Sequence, residues 1–297
     1  MQRLLLLFLL ALALPAQATL NVLATVPEWA ALVQEIGGDK VKVHAATSGL
    51  QDPHRIEAKP SLIARARNAQ LLVATGADLE TGWLPLVQRE SANPLIQSGQ
   101  PGYFEAAGHA TLRNVPAVLD RSHGDVHAAG NPHIHLDPHN VLKVGEALAE
   151  RLAQVDPAEA QAYRAGYRSF AERWQTAMAR WETRAAPLKG VPVLVQHDAF
   201  SHLNAWLGLK QVGVLEPKPG VEPSSSTLAE TLARQKANPA RMVLRPAYQY
   251  DAPSRWIADK AGINAVTLPF TVGGSPEAKN LFSLFDDTVN RLLAGLK

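Results

Sequence analysis

Residues 156–186 read DPAEAQAYRAGYRSFAERWQTAMARWETRAA, and this stretch decides the fold. Asp156 and Pro157 form a helix-start pair, the acid at the N-cap and the proline at N1. From there to Ala186, Gly166 is the one glycine or proline. Tyr163, Tyr167, Phe170, Trp174, Met178 and Trp181 recur at three- and four-residue intervals, which places them on one face of an α-helix. About thirty residues at 1.5 Å rise give roughly 45 Å of helix. One small domain does not need so long an element. The stretch is expected to be a spine joining two lobes, with a long core helix of one large domain as the alternative.

On either side the pattern alternates. Before the helix, Leu20–Thr25, Val41–Ala46 and Ala69–Thr75 read as buried strands. Trp29–Ile36, a helix opening at Pro60 and running to Arg67, and Trp83–Arg89 read as the helices between them. After it, strands are expected at Val191–Gln196, Lys210–Leu215, Arg241–Arg245 and Ala265–Leu268. Helices are expected at Ala199–Leu207, Ser224–Ala237, Pro253–Ala261 and Leu281–Leu296. Alternation of this kind implies parallel sheets covered on both faces. The expected class is therefore α/β: two similar lobes, each a mostly parallel sheet flanked by helices, joined by a long linking helix. The boundaries follow as 19–155, 156–186 and 187–297. Gly99–Gly130 lacks periodicity and is expected to be irregular, with the histidine-containing loop 108–130 its least ordered part. A helix from about Asn140 to Ala153 follows.

The N-terminus speaks to compartment. One positive charge at Arg3, the apolar run Leu4–Leu14, Pro15 and the small-residue site Ala16-Gln17-Ala18 make residues 1–18 a secretory signal peptide. The run is too short to cross a bilayer. The chain has no cysteine, which excludes disulfides, thiolate metal sites and a lipidated cysteine. A soluble, exported, periplasmic protein without a lipid anchor is expected. The net charge of +2 offers no electrostatic case for nucleic acid.

The chemistry lies in the histidines. Five of the ten fall within Ser122–His139 (SHGDVHAAGNPHIHLDPH): His123, His127, His133, His135 and His139. Imidazole is the commonest metal ligand near neutral pH. His197 directly follows an expected strand, His54 sits in the loop after another, and His133 lies before the inter-lobe helices. Ligands of open parallel sheets bind beyond the carboxyl ends of the strands. Facing lobes would bring these three into one cleft, and three imidazoles suit Zn²⁺ with a fourth position to fill. His44, His109 and His202 are expected to be surface or hydrogen-bonding residues. His123, His127 and His139 are either solvated or weakly metal-collecting.

Three phrases carry a resemblance: DPHRIEAKPS around His54, NPHIHLDP around His133 and QHDAF around His197. In that order, on both sides of a long helix, they resemble the zinc/manganese solute-binding proteins of ABC transporters, the cluster A-I or ZnuA/TroA-like family. The resemblance covers essentially the whole mature chain. It implies a two-lobed periplasmic receptor with a rigid linking helix, and the chain is expected to be a monomer and not an enzyme. Such a receptor holds one ion between its lobes on His54, His133 and His197. It hands the ion to an inner-membrane ABC permease with its ATPase subunit. The chain departs from the family at the loop after the last strand, Leu268–Gly274. Family members usually offer a carboxylate there, and this chain has Val272 at about that place. The fourth position is left to water, His123, His127, His135 or a carboxylate from elsewhere. The family's usual tryptophan two residues after the second ligand is His135 here. In an extended segment His135 would face the same way as His133. A nitrogen-rich, carboxylate-poor site favours Zn²⁺ over Mn²⁺.

Other readings compete. HIHLDPH superficially resembles the H-x-H-x-D-H phrase of zinc hydrolases, with a one-residue offset, and an open zinc position would permit hydrolysis. A two-lobed binder of an organic solute, or an adhesin or zinc buffer not coupled to transport, would share the architecture. No G-x-S-x-G, G-x-G-x-x-G or Walker loop is present, so any ATP hydrolysis belongs to a partner.

Overall fold

The computed structural model describes residues 19–115 and 127–297. The expected signal peptide and His123 lie outside the described residues, as does the middle of the 108–130 loop.

Two four-stranded sheets, parallel throughout, form the frame. The first contains β1 (Leu20–Ala24), β2 (Val41–Ala45), β3 (Leu71–Ala74) and β4 (Tyr103–Glu105), in the order β2-β1-β3-β4. The second contains β5 (Pro192–Val195), β6 (Lys210–Val214), β7 (Met242–Pro246) and β8 (Asn264–Leu268), in the order β6-β5-β7-β8. Each sheet thus starts on its second position, crosses to the edge and returns. The lobes share one topology, as the repeated alternation predicts.

Period-two alternation sorts the strand side chains between layers. Val22 and Ala24 of β1, and Leu71 and Val73 of β3, face inward to one large apolar cluster. Leu23, Leu72 and Ala74 face outward under α2 (Pro60–Arg67) and α3 (Leu84–Ser91). In the second sheet Val193, Val195, Met242 and Leu244 join the same large cluster, while Leu194 and Val243 pack outward with Ile257. The inner faces of both sheets therefore contribute to a single continuous core. Between the sheets run α1 (Pro27–Gly37), α4 (Pro138–Val155), α5 (Ala160–Ala185) and α9 (Leu281–Gly295). The outer face of the second sheet carries α7 (Ser225–Gln235) and α8 (Ala252–Ala261), and the short α6 (Ser201–Leu207) follows β5.

At the centre lies α5, with 26 residues and a length of about 39 Å. Its aromatic face builds a column of rings. Trp174 meets Phe170 at 5.1 Å, Trp181 at 5.0 Å and Phe285 of α9 at 5.2 Å between centroids. Its indole N–H donates to the Pro138 carbonyl at 2.9 Å, tying α5 to the start of α4. The Trp181 indole donates to Asp286 of α9, which also accepts from Arg180 and Arg184. The spine and core-helix alternatives merge, because α5 joins the lobes by lying in the core that both share.

Two expectations are corrected. Asp156 does not cap the long helix; its carboxylate accepts the Tyr163 hydroxyl at 2.8 Å, Pro157–Glu159 forms a 3₁₀ turn, and α5 begins at Ala160. The irregular stretch 99–130 contains β4, a three-residue edge strand whose buried residue is Phe104. Three residues after Gly102 cannot show an alternation long enough to read. Among the described residues no helix is long and apolar enough to cross a membrane.

Gly166 shows how close the packing is. A Cβ there would stand 2.1 Å from the Ile36 carbonyl oxygen at the end of α1. Alanine raises helix propensity by about 1 kcal/mol, but the clash forces α1 and α5 apart. We expect Gly166→Ala to lower stability by about 1–3 kcal/mol in urea unfolding. A neutral or stabilising result would show that α1 does not press on α5 as described.

Candidate metal centre

The loops beyond the strand ends carry the site. His54 lies in the loop after β2, in a turn made by Asp52. The Asp52 carboxylate accepts the His54 backbone N–H at 3.0 Å and its Nδ1–H at 2.8 Å. The Trp83 indole donates to the Pro53 carbonyl at 3.0 Å and pins the turn from beneath. His197 lies two residues past the end of β5. Its Nδ1–H donates to Glu216 Oε2 at 2.7 Å. Glu216 is held in turn by the Gly220 N–H at 2.9 Å and the Gln249 amide at 2.8 Å. A carboxylate on Nδ1 fixes the tautomer and leaves Nε2 with its lone pair, the second-sphere arrangement of metal-binding histidines. His133 is positioned through its backbone, because its N–H donates to Asn131 Oδ1 at 3.1 Å. The Asn131 amide donates to the Asp198 carbonyl at 2.7 Å, which ties the His133 segment to the residue beside His197.

These supports make the three imidazoles converge. One ring nitrogen from each of His54, His133 and His197 lies within 4.8 Å of the others. Ring centroids are 5.4 Å apart for His54 and His133, 5.8 Å for His54 and His197, and 5.9 Å for His133 and His197. His133 and His197 are buried at 2% and 5% exposure. Buried polar atoms are normally hydrogen-bonded. Nevertheless His54 Nε2 and His133 Nδ1 have no hydrogen-bond partner among the described residues. Neutral nitrogen donors directed at one another repel, and a cation between them removes that repulsion.

The electrostatics divide the set. Burial holds His133 well below the ordinary imidazole range, and the neighbouring His54 and His197 push it the same way. It is neutral and ready to donate at pH 7. Burial alone would lower His197 too, but the hydrogen bond and charge of Glu216 outweigh it and raise His197 above the ordinary value.

The other candidates are placed as follows. His135 does not join the triad. Ile134–Leu136 is a 3₁₀ turn, not an extended segment, so alternate residues do not share a side. The His135 ring lies 2.9 Å through Nε2 from the Phe270 carbonyl and 3.1 Å through Nδ1 from Glu28. The latter approach lacks hydrogen-bond geometry. His127 stands 5.5 Å from His54 between ring centroids. His139 is half exposed and folds back on Asp137, which caps α4, so the HIHLDPH phrase does not assemble a hydrolase site. Among the single histidines, His202 is buried and donates to the Asn131 carbonyl, and His109 stacks on Phe104. Beyond β8, where a carboxylate would face the site, Val272 packs on the core and the Phe270 ring lies 5.1 Å from His133. Gly49, in the loop before His54, touches the Gly273–Gly274 backbone of that loop so closely that a Cβ would meet Gly273 C at 2.3 Å.

Sequence reading missed Glu216, Asn131 and Asp198. Glu216 had a usable signal, since it follows β6 as His197 follows β5. Asn131 and Asp198 act through amide and carbonyl groups that no residue pattern announces.

The fold and the triad define a two-lobed α/β protein with a candidate imidazole site between its lobes. Residues 22–295 match the family described as ZnuA, the periplasmic component A of the zinc-uptake complex, and the chain belongs to that family. Its members are metal-binding solute-binding proteins of ABC transporters and not enzymes. The zinc-binding lipoprotein AdcA of Streptococcus pneumoniae R6 is 24% identical over 85% of this chain and 50% of its own length. The chain thus spans about half the length of that relative. The high-affinity zinc uptake protein ZnuA of Bacillus subtilis is 24% identical over 88% of this chain and 78% of its own. A crystal structure of ZnuA superposes with a TM-score of 0.75 at 23% identity, covering 92% of this chain and 99% of the other. That likeness establishes the fold.

The contrast within the triad is measurable by imidazole NMR on metal-free protein. His197 is expected to titrate above about 6.5 and His133 to remain neutral well below it. Stability linked to His197 is then present below its unfolded value and lost as pH rises through its raised folded value. Stability linked to His133 is lost instead as pH falls below about 6.5. Glu216→Gln should bring His197 down. If His197 titrates in the same place in both proteins, Glu216 is not its partner in solution.

Proposed function

We propose that this chain is a periplasmic zinc receptor. It binds one Zn²⁺ between its lobes through His54, His133 and His197 and delivers it to an inner-membrane ABC permease with an ATPase subunit. The observation that carries this reading is the convergent imidazole triad, with His133 and His197 buried and His54 half-buried, two of whose members already rest on carboxylates. Nitrogen donors with no carboxylate among the convergent atoms favour zinc, whereas Mn²⁺ prefers oxygen. Glu216 and Asp52 serve in this reading as second-sphere groups that raise ligand basicity. The mature protein is taken to begin at Thr19, after a cleaved signal peptide, and to act as a monomer without a lipid anchor. The lobes would span 19–155 and 187–297, with 156–186 linking them. The relatives described as zinc-binding and zinc-uptake proteins point the same way.

Zinc loading neutralises the mutual repulsion of three buried nitrogen donors and crosslinks the two lobes. Isothermal titration of the metal-stripped mature protein should therefore show one tight zinc equivalent. His54→Ala, His133→Ala and His197→Ala should each weaken it by about 100-fold or more, and Glu216→Ala by about 10–100-fold. Mn²⁺ should compete poorly. Tight zinc binding indifferent to His54 and His197 would move the site elsewhere and end this reading.

A further inference from the structure

The loop after β8 is held by a buried polar network that the triad does not use. Phe270 sits in that loop with φ of 67°, in the left-handed region. A bulky side chain avoids this conformation, which persists only where the surroundings enforce it. Two hydrogen bonds supply the enforcement. The Phe270 carbonyl can only accept, so His135 Nε2, at 2.9 Å, carries a proton and donates to it. The next residue, Thr271, donates its hydroxyl to Glu28 Oε2 at 2.5 Å. Glu28 Oε1 in turn lies 3.1 Å from His135 Nδ1, so hydroxyl, carboxylate and imidazole close on one another. All four residues are buried. Glu28 belongs to the first turn of α1 in the first lobe, His135 to the turn before α4, and Thr271 to the second lobe.

What the network fixes is the Phe270 ring. Its centroid lies 5.1 Å from that of His133, 5.3 Å from His135 and 5.2 Å from Tyr248, edge to face in each case. The ring is thus wedged against one member of the triad, and a hydrocarbon face offers an ion no donor. The apolar groups around a site control which solvent and ligands reach the ion. Zinc is satisfied by four ligands, whereas Mn²⁺ favours an octahedral set of oxygens. A wall that leaves no room for a carboxylate or for several waters beside His133 suits the first ion and penalises the second.

We propose that Phe270 sets the metal preference of the site, and that Glu28, Thr271 and His135 are positioning residues that hold its ring against His133. This rests on the function proposed above. The triad supplies the nitrogen donors, and the Phe270 wall limits how many further ligands join them. Because Glu28 comes from one lobe and Thr271 from the other, the wall is as fixed as the packing of the lobes. Loss of the Thr271 hydroxyl leaves the buried Glu28 carboxylate short of a partner, frees the loop, and lets the ring move off the imidazole.

The test compares the Zn²⁺ and Mn²⁺ affinities of the full mature protein by competition titration, and records the visible spectrum of the Co²⁺ form, whose intensity falls when six ligands replace four. Phe270→Ala should lower the preference for zinc over manganese about tenfold and weaken the Co²⁺ bands. Thr271→Val keeps the side-chain shape without the hydroxyl and should shift the preference in the same direction. Thr271→Ser restores the hydroxyl and should stay near wild type. The double variant Phe270→Ala with Thr271→Val should shift the preference no further than Phe270→Ala alone. Equal weakening of both metals, or an unchanged preference in Phe270→Ala, would overturn the proposal, as would an unchanged preference in a folded Thr271→Val. Should Thr271→Val fail to fold, Phe270→Ala alone decides: an unchanged preference and Co²⁺ spectrum remove the wall and the proposal with it. Failure of the function itself looks different, as zinc binding that is absent from wild type or insensitive to His54→Ala and His197→Ala.

Discussion

The ring column on α5 is the contact on which the rest of the structure depends. Trp174 and Trp181 bring the start of α4 and the whole of α9 onto one helix, and the inner faces of both sheets close over the result. A fully buried tryptophan contributes several kcal/mol, and a densely packed interior does not deform continuously. Two lobes that share such a core cannot swing freely as two lobes on a flexible strand would. Their facing loops are therefore presented at nearly constant separation.

That constancy makes the buried imidazoles tolerable. Desolvating three histidines costs free energy unless their polar atoms find partners. His54 and His197 find one each, Asp52 and Glu216, and turn their remaining nitrogens toward His133. The site is pre-organised by groups from both lobes: the Asp52 turn from the first, the Glu216 cradle from the second, and the Asn131–Asp198 bridge between them. Pre-organisation lowers the ordering cost at the moment of binding. It also means that the lobes register the ion together.

Much of this was legible in the residues, for definite reasons. Long apolar runs announce strands buried on both faces, and the three- and four-residue spacing from Tyr163 to Trp181 announces the spine. The strand-end rule placed His54 and His197 in one cleft. The reading failed where the information is geometric. His135 looks like a site residue because of its i+2 spacing from His133, but a 3₁₀ turn replaces the extended backbone and aims the ring at Phe270 and Glu28. Phe270 itself has φ of 67°, a conformation its residue type does not advertise, and its aromatic ring stands on the side where family members usually offer a carboxylate. The edge strand β4 is too short to show a period. Backbone-mediated supports such as Asn131 leave no pattern at all.

The central claim is that the ion is held by imidazoles drawn from both lobes. Zinc K-edge X-ray absorption of the protein loaded with one equivalent tests it most directly. A nitrogen shell at about 2.0–2.1 Å is expected, with outer-shell scattering from at least three imidazoles. A shell dominated by oxygen, or one with fewer than three imidazoles, would contradict it.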